Sequence, residues 1–171
     1  MSSKRIISLI GMPGSGKSTI GVLLAKRLGL EFVDTDILIQ THENATLAEI
    51  IARESQEYLR EVEEHILVTM PIRPGMLLST GGSVVYSDNI MARLTDLSDC
   101  IYLRARFETV EYRISLAPDR GIAAPKNYTF KDVYNERVPL YERYGEITVD
   151  VDDDAPEIIV GHIIEQLDES R

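Results

Sequence analysis

The chain has 171 residues, 44 % of them hydrophobic, with 28 acidic against 18 basic side chains and a formal net charge of −10. That length makes one domain with apolar content for a substantial core, and the acidic balance excludes a surface for nucleic acid, which needs basic residues in number and in clusters. No apolar run is long enough to span a bilayer, and a lone cysteine, Cys100, excludes an intrachain disulfide, so a cytoplasmic setting is expected, with Cys100 as a buried structural thiol.

After Lys4 and Arg5, the run Ile6-Ile7-Ser8-Leu9-Ile10 leads straight into a glycine-rich loop and is expected to be a buried strand, not a signal peptide. Gly11-Met12-Pro13-Gly14-Ser15-Gly16-Lys17-Ser18 matches G-x-x-x-x-G-K-[ST] at every fixed position. Beyond it, Ile20, Val22, Leu23, Leu24, Ala25 and Leu28 recur at helical spacing up to Gly29, a helix stop. Between strand and helix, such a loop cradles phosphate: its glycines let backbone N–H groups approach without Cβ interference, Lys17 reaches the β- and γ-phosphates, and the Ser18 hydroxyl can ligate Mg²⁺. Gly14, Ser15, Gly16 and Thr19 complete the candidate phosphate contacts. An ordinary glycine-rich turn is the plainer alternative, and agreement between motif and flanks argues against it.

A second strand is expected over 30–33, followed by Asp34-Thr35-Asp36. Alternate residues at a strand end can send one carboxylate toward Mg²⁺ and its waters and the other toward an acceptor hydroxyl. They can equally be acids capping a helix that begins before Ile37-Leu38-Ile39. From Ala45 to Met70, the residues Leu47, Ile50, Ile51, Leu59, Val62, Ile66 and Leu67 mark a helical region able to project as a small substrate-binding subdomain. Within it Arg60 and Glu63, three apart, share a helix face, where a surface ion pair is the ordinary reading. A third strand over 76–79 runs through Thr80 into Gly81-Gly82-Ser83, where N–H groups can meet a ligand at the carboxyl edge of a sheet, or where the chain simply turns.

Strands over 100–103 and 147–151 complete the set, and their alternation with helices predicts a parallel sheet covered on both faces. The segment 116–129, rich in small residues and prolines and without a clear period, is the candidate lid and contains Arg120. Arg137 follows the aromatic-bearing stretch 130–134; a guanidinium grips carboxylate or phosphate in bidentate fashion, although exposed arginines are ordinarily only solvated. The acidic run 150–154 reads as a solvated turn rather than a metal site, before a last helix from Pro156 to about Leu167. Met12, Met70, Met76 and Met91 are expected as core filler and the tyrosines as packing with a polar end. His42, His65 and His162 show no metal-ligand spacing.

In order and spacing, these elements resemble the shikimate kinase family over nearly the whole chain. The phosphate loop, Asp34-x-Asp36, Arg60-x-x-Glu63, the glycine turn after Ser79-Thr80, Arg120 and Arg137-Val138-Pro139-Leu140-Tyr141 carry the likeness. The resemblance implies a single three-layer α/β/α P-loop kinase domain over 1–171, of the nucleoside-monophosphate-kinase type. It would have a five-stranded parallel sheet, a substrate-binding region over about 36–70 and a lid over about 116–129. It further implies ATP as phosphoryl donor, Mg²⁺, and transfer to the 3-hydroxyl of shikimate in aromatic amino acid biosynthesis, by a monomer. Lys17 and Ser18 would hold phosphate and metal, Asp34 the metal through water, and Asp36 the acceptor hydroxyl as general base. Arg60 and Arg137 would clamp the acceptor's carboxylate, Glu63 would hold Arg60, and Gly81 and Gly82 would meet the acceptor. Arg120 would close onto the phosphates, and Arg113 and Pro156 would flank the adenine.

Three departures bear on the acceptor. Ser83 replaces the family's third glycine, adding a Cβ and restricting any positive φ needed there; Leu59 replaces an aromatic wall; and the lid reads Arg120-Gly121-Ile122 instead of Arg-Pro-Leu. Two rivals therefore stand beside shikimate kinase. One is a related kinase of another small anionic polyol or hydroxy acid such as gluconate. The other is a nucleotide-binding protein without transfer activity, against which the intact set Lys17, Ser18, Asp34, Asp36 and Arg120 speaks.

Overall fold

A computed structural model describes residues 5–117, 122 and 124–170. Five strands, β1 (Ile7–Ile10), β2 (Glu31–Asp34), β3 (Met76–Ser79), β4 (Asp99–Arg104) and β5 (Ile147–Asp150), form one all-parallel sheet in the order β2-β3-β1-β4-β5. This is the expected α/β architecture, with strand limits moved by one residue at most. Central β1 and β3 are buried along their whole length, whereas edge β2 opens with exposed Glu31. A parallel strand covered on both faces needs such a continuous apolar run.

The chain goes from β1 outward to β2, returns to β3, and then crosses β1 to reach β4. Strand order therefore reverses at the carboxyl end of β1, the place where open parallel sheets leave a crevice for ligands. The phosphate loop lies there, between β1 and α1 (Lys17–Leu28). Helix α1 buries Ile20, Leu24 and Ala25 and ends at Gly29, whose φ of 66° gives the left-handed cap that glycine accepts. Val22 and Leu28, counted in the apolar recurrence, instead face outward at 49 % and 37 % exposure. The helix needs only one stripe against the sheet and α8 (Pro156–Glu169), and these two residues lie outside it.

A second apolar cluster, Ile39, Ile50, Leu59 and Val62, sits apart from the main core. It lies among α2 (Thr35–Glu43), α3 (Leu47–Arg53) and α4 (Gln56–Thr69). Glu43 binds these helices at their rim, accepting from Arg53 Nη2 at 3.0 Å and from Tyr58 Oη at 3.2 Å. Cys100 is fully buried, and burial pushes its thiol up to about 11. The acidic run is not merely solvated. Asp150 takes a bidentate pair from Arg104 at 2.6 and 2.9 Å, Asp152 accepts from the Arg106 N–H, and Asp153 accepts from the Arg106 guanidinium. These contacts tie β4 and the chain leading into α6 (Phe107–Ser115) to the β5–α8 turn. No helix among the described residues is long and apolar enough to cross a membrane.

Candidate active site

The loop after β1 is shaped for an anion. Gly14 and Gly16 hold φ values of 84° and 93°, a region that side chains with Cβ rarely adopt. No side chain caps the start of α1 and no acid stands in its first turn. Its first N–H groups therefore face the loop with the positive end of the helix dipole behind them. Lys17, 6 % exposed, donates to the carbonyls of Gly11 at 2.7 Å and Met12 at 2.8 Å, which bends the ammonium back over the loop. Arg113, in the last turn of α6, donates to the Gly14 carbonyl at 3.1 Å and the Val151 carbonyl at 3.2 Å. It thereby braces the loop against the turn that leads to Pro156 at the start of α8.

Asp34 caps α2 with one oxygen and reaches the phosphate loop with the other. Oδ1 accepts from the Asp36 N–H at 3.0 Å and so caps α2, while Oδ2 accepts from the Ser18 hydroxyl at 2.7 Å. Two hard oxygens side by side next to the phosphate loop are a donor set that fits Mg²⁺. Among the described residues no group of three or more His, Cys, Asp or Glu is placed to hold a metal ion. A metal here would therefore draw its remaining ligands from phosphate and water, as Mg²⁺ commonly does.

The glycine turn after β3 is fixed from both sides. Thr80 donates through its N–H and its hydroxyl to the Leu9 carbonyl of β1, and the Tyr141 hydroxyl, from α7 (Phe130–Tyr144), donates to the Gly82 carbonyl at 2.5 Å. Neither Gly81 nor Gly82 has a positive φ; space is what demands glycine. A Cβ on Gly81 would come within 2.6 Å of Glu63 Oε1 and 2.9 Å of Asp36 Oδ1. On Gly82 it would come within 2.7 Å of Pro13 Cδ and 3.0 Å of Arg137 Nη1. The turn thus gathers two carboxylates and a guanidinium around one hollow. Lys17, Ser18, Asp36, Glu63, Gly82 and Arg137 line it, together with the aliphatic side chains of Leu59 and Ile122.

Several sequence expectations change here. Ser83 has a φ of −87°, so no positive φ is restricted. Its hydroxyl donates to Glu63 Oε2 at 2.6 Å. Glu63, 3 % exposed, points inward to that hydroxyl and is not within ion-pair distance of Arg60, so it does not hold Arg60 by direct contact. Burial pushes the Glu63 carboxyl up to about 7, with the Asp36 charge adding to the rise; the Ser83 bond and the Arg137 and Arg60 charges oppose it. Arg137 is not a solvated surface arginine but 1 % exposed, its Nε donating to Tyr86 Oη at 3.3 Å. Arg60 is exposed, with its guanidinium carbon 4.1 Å from the centre of the Tyr86 ring. Arg120 lies outside the described residues. Tyr86, touched by both arginines, carried no sequence signal, because nothing in a lone tyrosine after a glycine turn distinguishes it from packing.

A family model for shikimate kinase matches residues 13–168. The chain belongs to the shikimate kinase family. Shikimate kinase from Vibrio vulnificus is 33 % identical over 99 % of this chain and 100 % of its own length. Shikimate kinase 1 of Escherichia fergusonii is 32 % identical over 98 % and 99 %. Among solved structures, shikimate kinase from Acinetobacter baumannii in complex with shikimate superposes with a TM-score of 0.90 at 26 % identity, covering 98 % of this chain and 95 % of that one. Members of the shikimate kinase family are ATP-dependent kinases that transfer phosphate to an alcohol, and ATP is accordingly the co-substrate here.

Proposed function

We propose that this chain transfers the γ-phosphoryl group of ATP to the 3-hydroxyl of shikimate, with Asp36 aligning the hydroxyl and Arg60 and Arg137 gripping the carboxylate. The observation that carries this reading is the single hollow lined by Asp36 and Arg137 together with Lys17 and Ser18. A small alcohol bearing a carboxylate has one end for each.

Phosphoryl transfer passes through a loose transition state, so the protein's work is positioning and charge neutralisation. The N–H groups of the loop and of the first turn of α1, from Gly14 to Thr19, and the Lys17 ammonium neutralise the transferring group. Ser18 and Asp34 would hold Mg²⁺, which when bound offsets phosphate charge. Asp36 accepts the hydroxyl proton as oxygen–phosphorus bonding develops and keeps the nucleophile in line. Arg113 and Pro156 flank the adenine side. Residues 36–70 act as the substrate-binding region and 116–129 as the lid, with Arg120 meeting the phosphates and excluding water.

The test is ADP formation with shikimate, gluconate and nucleoside monophosphates as acceptors. Turnover well above background is expected with shikimate alone. Turnover confined to gluconate would reassign the acceptor, and ATP binding without turnover on any of them would make the chain a nucleotide-binding protein.

A further inference from the structure

Arg137 lines the hollow from α7, whereas Arg60 stands on α4 outside that lining, and the two differ in how they are held. Arg137 is buried in the middle of α7, where packing restricts it, whereas Arg60 is exposed on α4 with a long, rotatable side chain. Among the described residues no carboxylate lies within ion-pair distance of Arg60. What it meets is the face of Tyr86, at 4.1 Å. The Arg137 guanidinium carbon is 5.2 Å from the centre of the same ring, and its Nε donates to the Tyr86 hydroxyl at 3.3 Å.

We propose that Tyr86 is a positioning residue for the acceptor's carboxylate, its ring carrying Arg60 and its hydroxyl holding Arg137, so that one side chain sets the placement of two guanidinium groups. The ring is itself anchored. It stands on the short 3-10 turn Val84–Tyr86 that follows the glycine turn, and its hydroxyl donates to Glu136 at 2.5 Å. The other Glu136 oxygen accepts from Tyr128 Oη at 3.2 Å. Glu136 thereby fixes the hydroxyl's proton on its own side and leaves the oxygen's lone pairs for the Arg137 N–H. A cation over an aromatic face is attracted by the ring quadrupole, so Arg60 gains a fixed position without a carboxylate partner that would compete with the acceptor.

The proposal rests on the assignment of Arg60 and Arg137 to the carboxylate, and its test separates the two. Steady-state kinetics are measured with shikimate and with shikimate methyl ester for the wild type, Tyr86→Phe and Tyr86→Leu. Tyr86→Phe keeps the ring and loses the hydroxyl, and KM for shikimate is expected to rise about three- to tenfold. Tyr86→Leu loses both contacts, with a rise above about tenfold. In each variant kcat and KM for ATP are expected to stay within about twofold, because only uniform binding of the acceptor is weakened. The preference for acid over ester contracts in both variants, a change that general loosening of the pocket would not produce. Unchanged KM for shikimate, or acid and ester weakened by the same factor, would overturn the role of Tyr86. Tyr86→Phe decides the matter alone if Tyr86→Leu fails to fold. A wild-type protein inert toward shikimate would refute the acceptor assignment, and this proposal with it.

Discussion

Asp34, Asp36 and Glu63 are three carboxylates within one site, and their surroundings give them different work. Asp34 is committed to the α2 N-terminus and to Ser18, and of the two carboxylates that line the hollow, Asp36 and Glu63, the latter accepts from the Ser83 hydroxyl. Asp36→Asn keeps the shape and removes the base. Transfer is expected to fall about 10²- to 10⁴-fold, while nucleotide affinity, read by direct titration, stays near the wild-type value. A large loss of ATP binding would contradict the placement. Glu63 titrates in a different way. Its folded-state carboxyl is raised to about 7 from an ordinary 4.5, so the folded protein keeps this proton longer than the unfolded chain. Glu63's contribution to stability is therefore greatest below about 4.5 and is lost as pH rises to about 7, where the buried charge must form. Glu63→Gln removes that titration. The melting temperature of Glu63→Gln minus that of the wild type is expected to grow between pH 5 and 8, and a flat difference would contradict the buried-carboxyl account.

At the scale of elements, the site is assembled from the ends of strands and the starts of helices. Helix α4 carries Arg60 and Glu63 and starts at Ser55, whose hydroxyl accepts from the Tyr58 N–H at 3.0 Å. Ser55→Ala is expected to cost about 0.5–2 kcal/mol of stability, read as a lower urea midpoint with an unchanged slope. Much of this level was legible in the sequence. The phosphate loop, its helix and the Gly29 stop followed from motif and period, because backbone conformation there is dictated by glycine placement. The acidic pair was legible only as two alternatives, since a helix cap occupies one oxygen of a carboxylate and leaves the other to turn elsewhere, as Asp34 turns it to Ser18. The inward turn of Glu63 was not legible: three-residue spacing puts Arg60 and Glu63 on one helix face, but what lies opposite that face decides their partners. Here Ser83 and Tyr86, contributed from beyond β3, draw the two side chains apart.

At the scale of the whole molecule, the family likeness implied the number of strands, and their order comes from the structure. Composition and period predict a parallel sheet, but no residue states that β1 lies between β3 and β4. That order matters for function, because it puts the phosphate loop, the end of β2 and the glycine turn after β3 on one rim. The net charge of −10 adds a further demand. An anionic acceptor meets an unfavourable overall field and must be captured by local cations, and Arg137, held at the glycine turn, is placed for that. The most direct measurement is a crystal structure with shikimate and ADP bound. The expected result is shikimate in the hollow between Asp36 and Arg137, its carboxylate on the Arg60 and Arg137 guanidinium groups and its 3-hydroxyl on Asp36. Shikimate bound elsewhere, or with its carboxylate turned away from both arginines, would contradict the account.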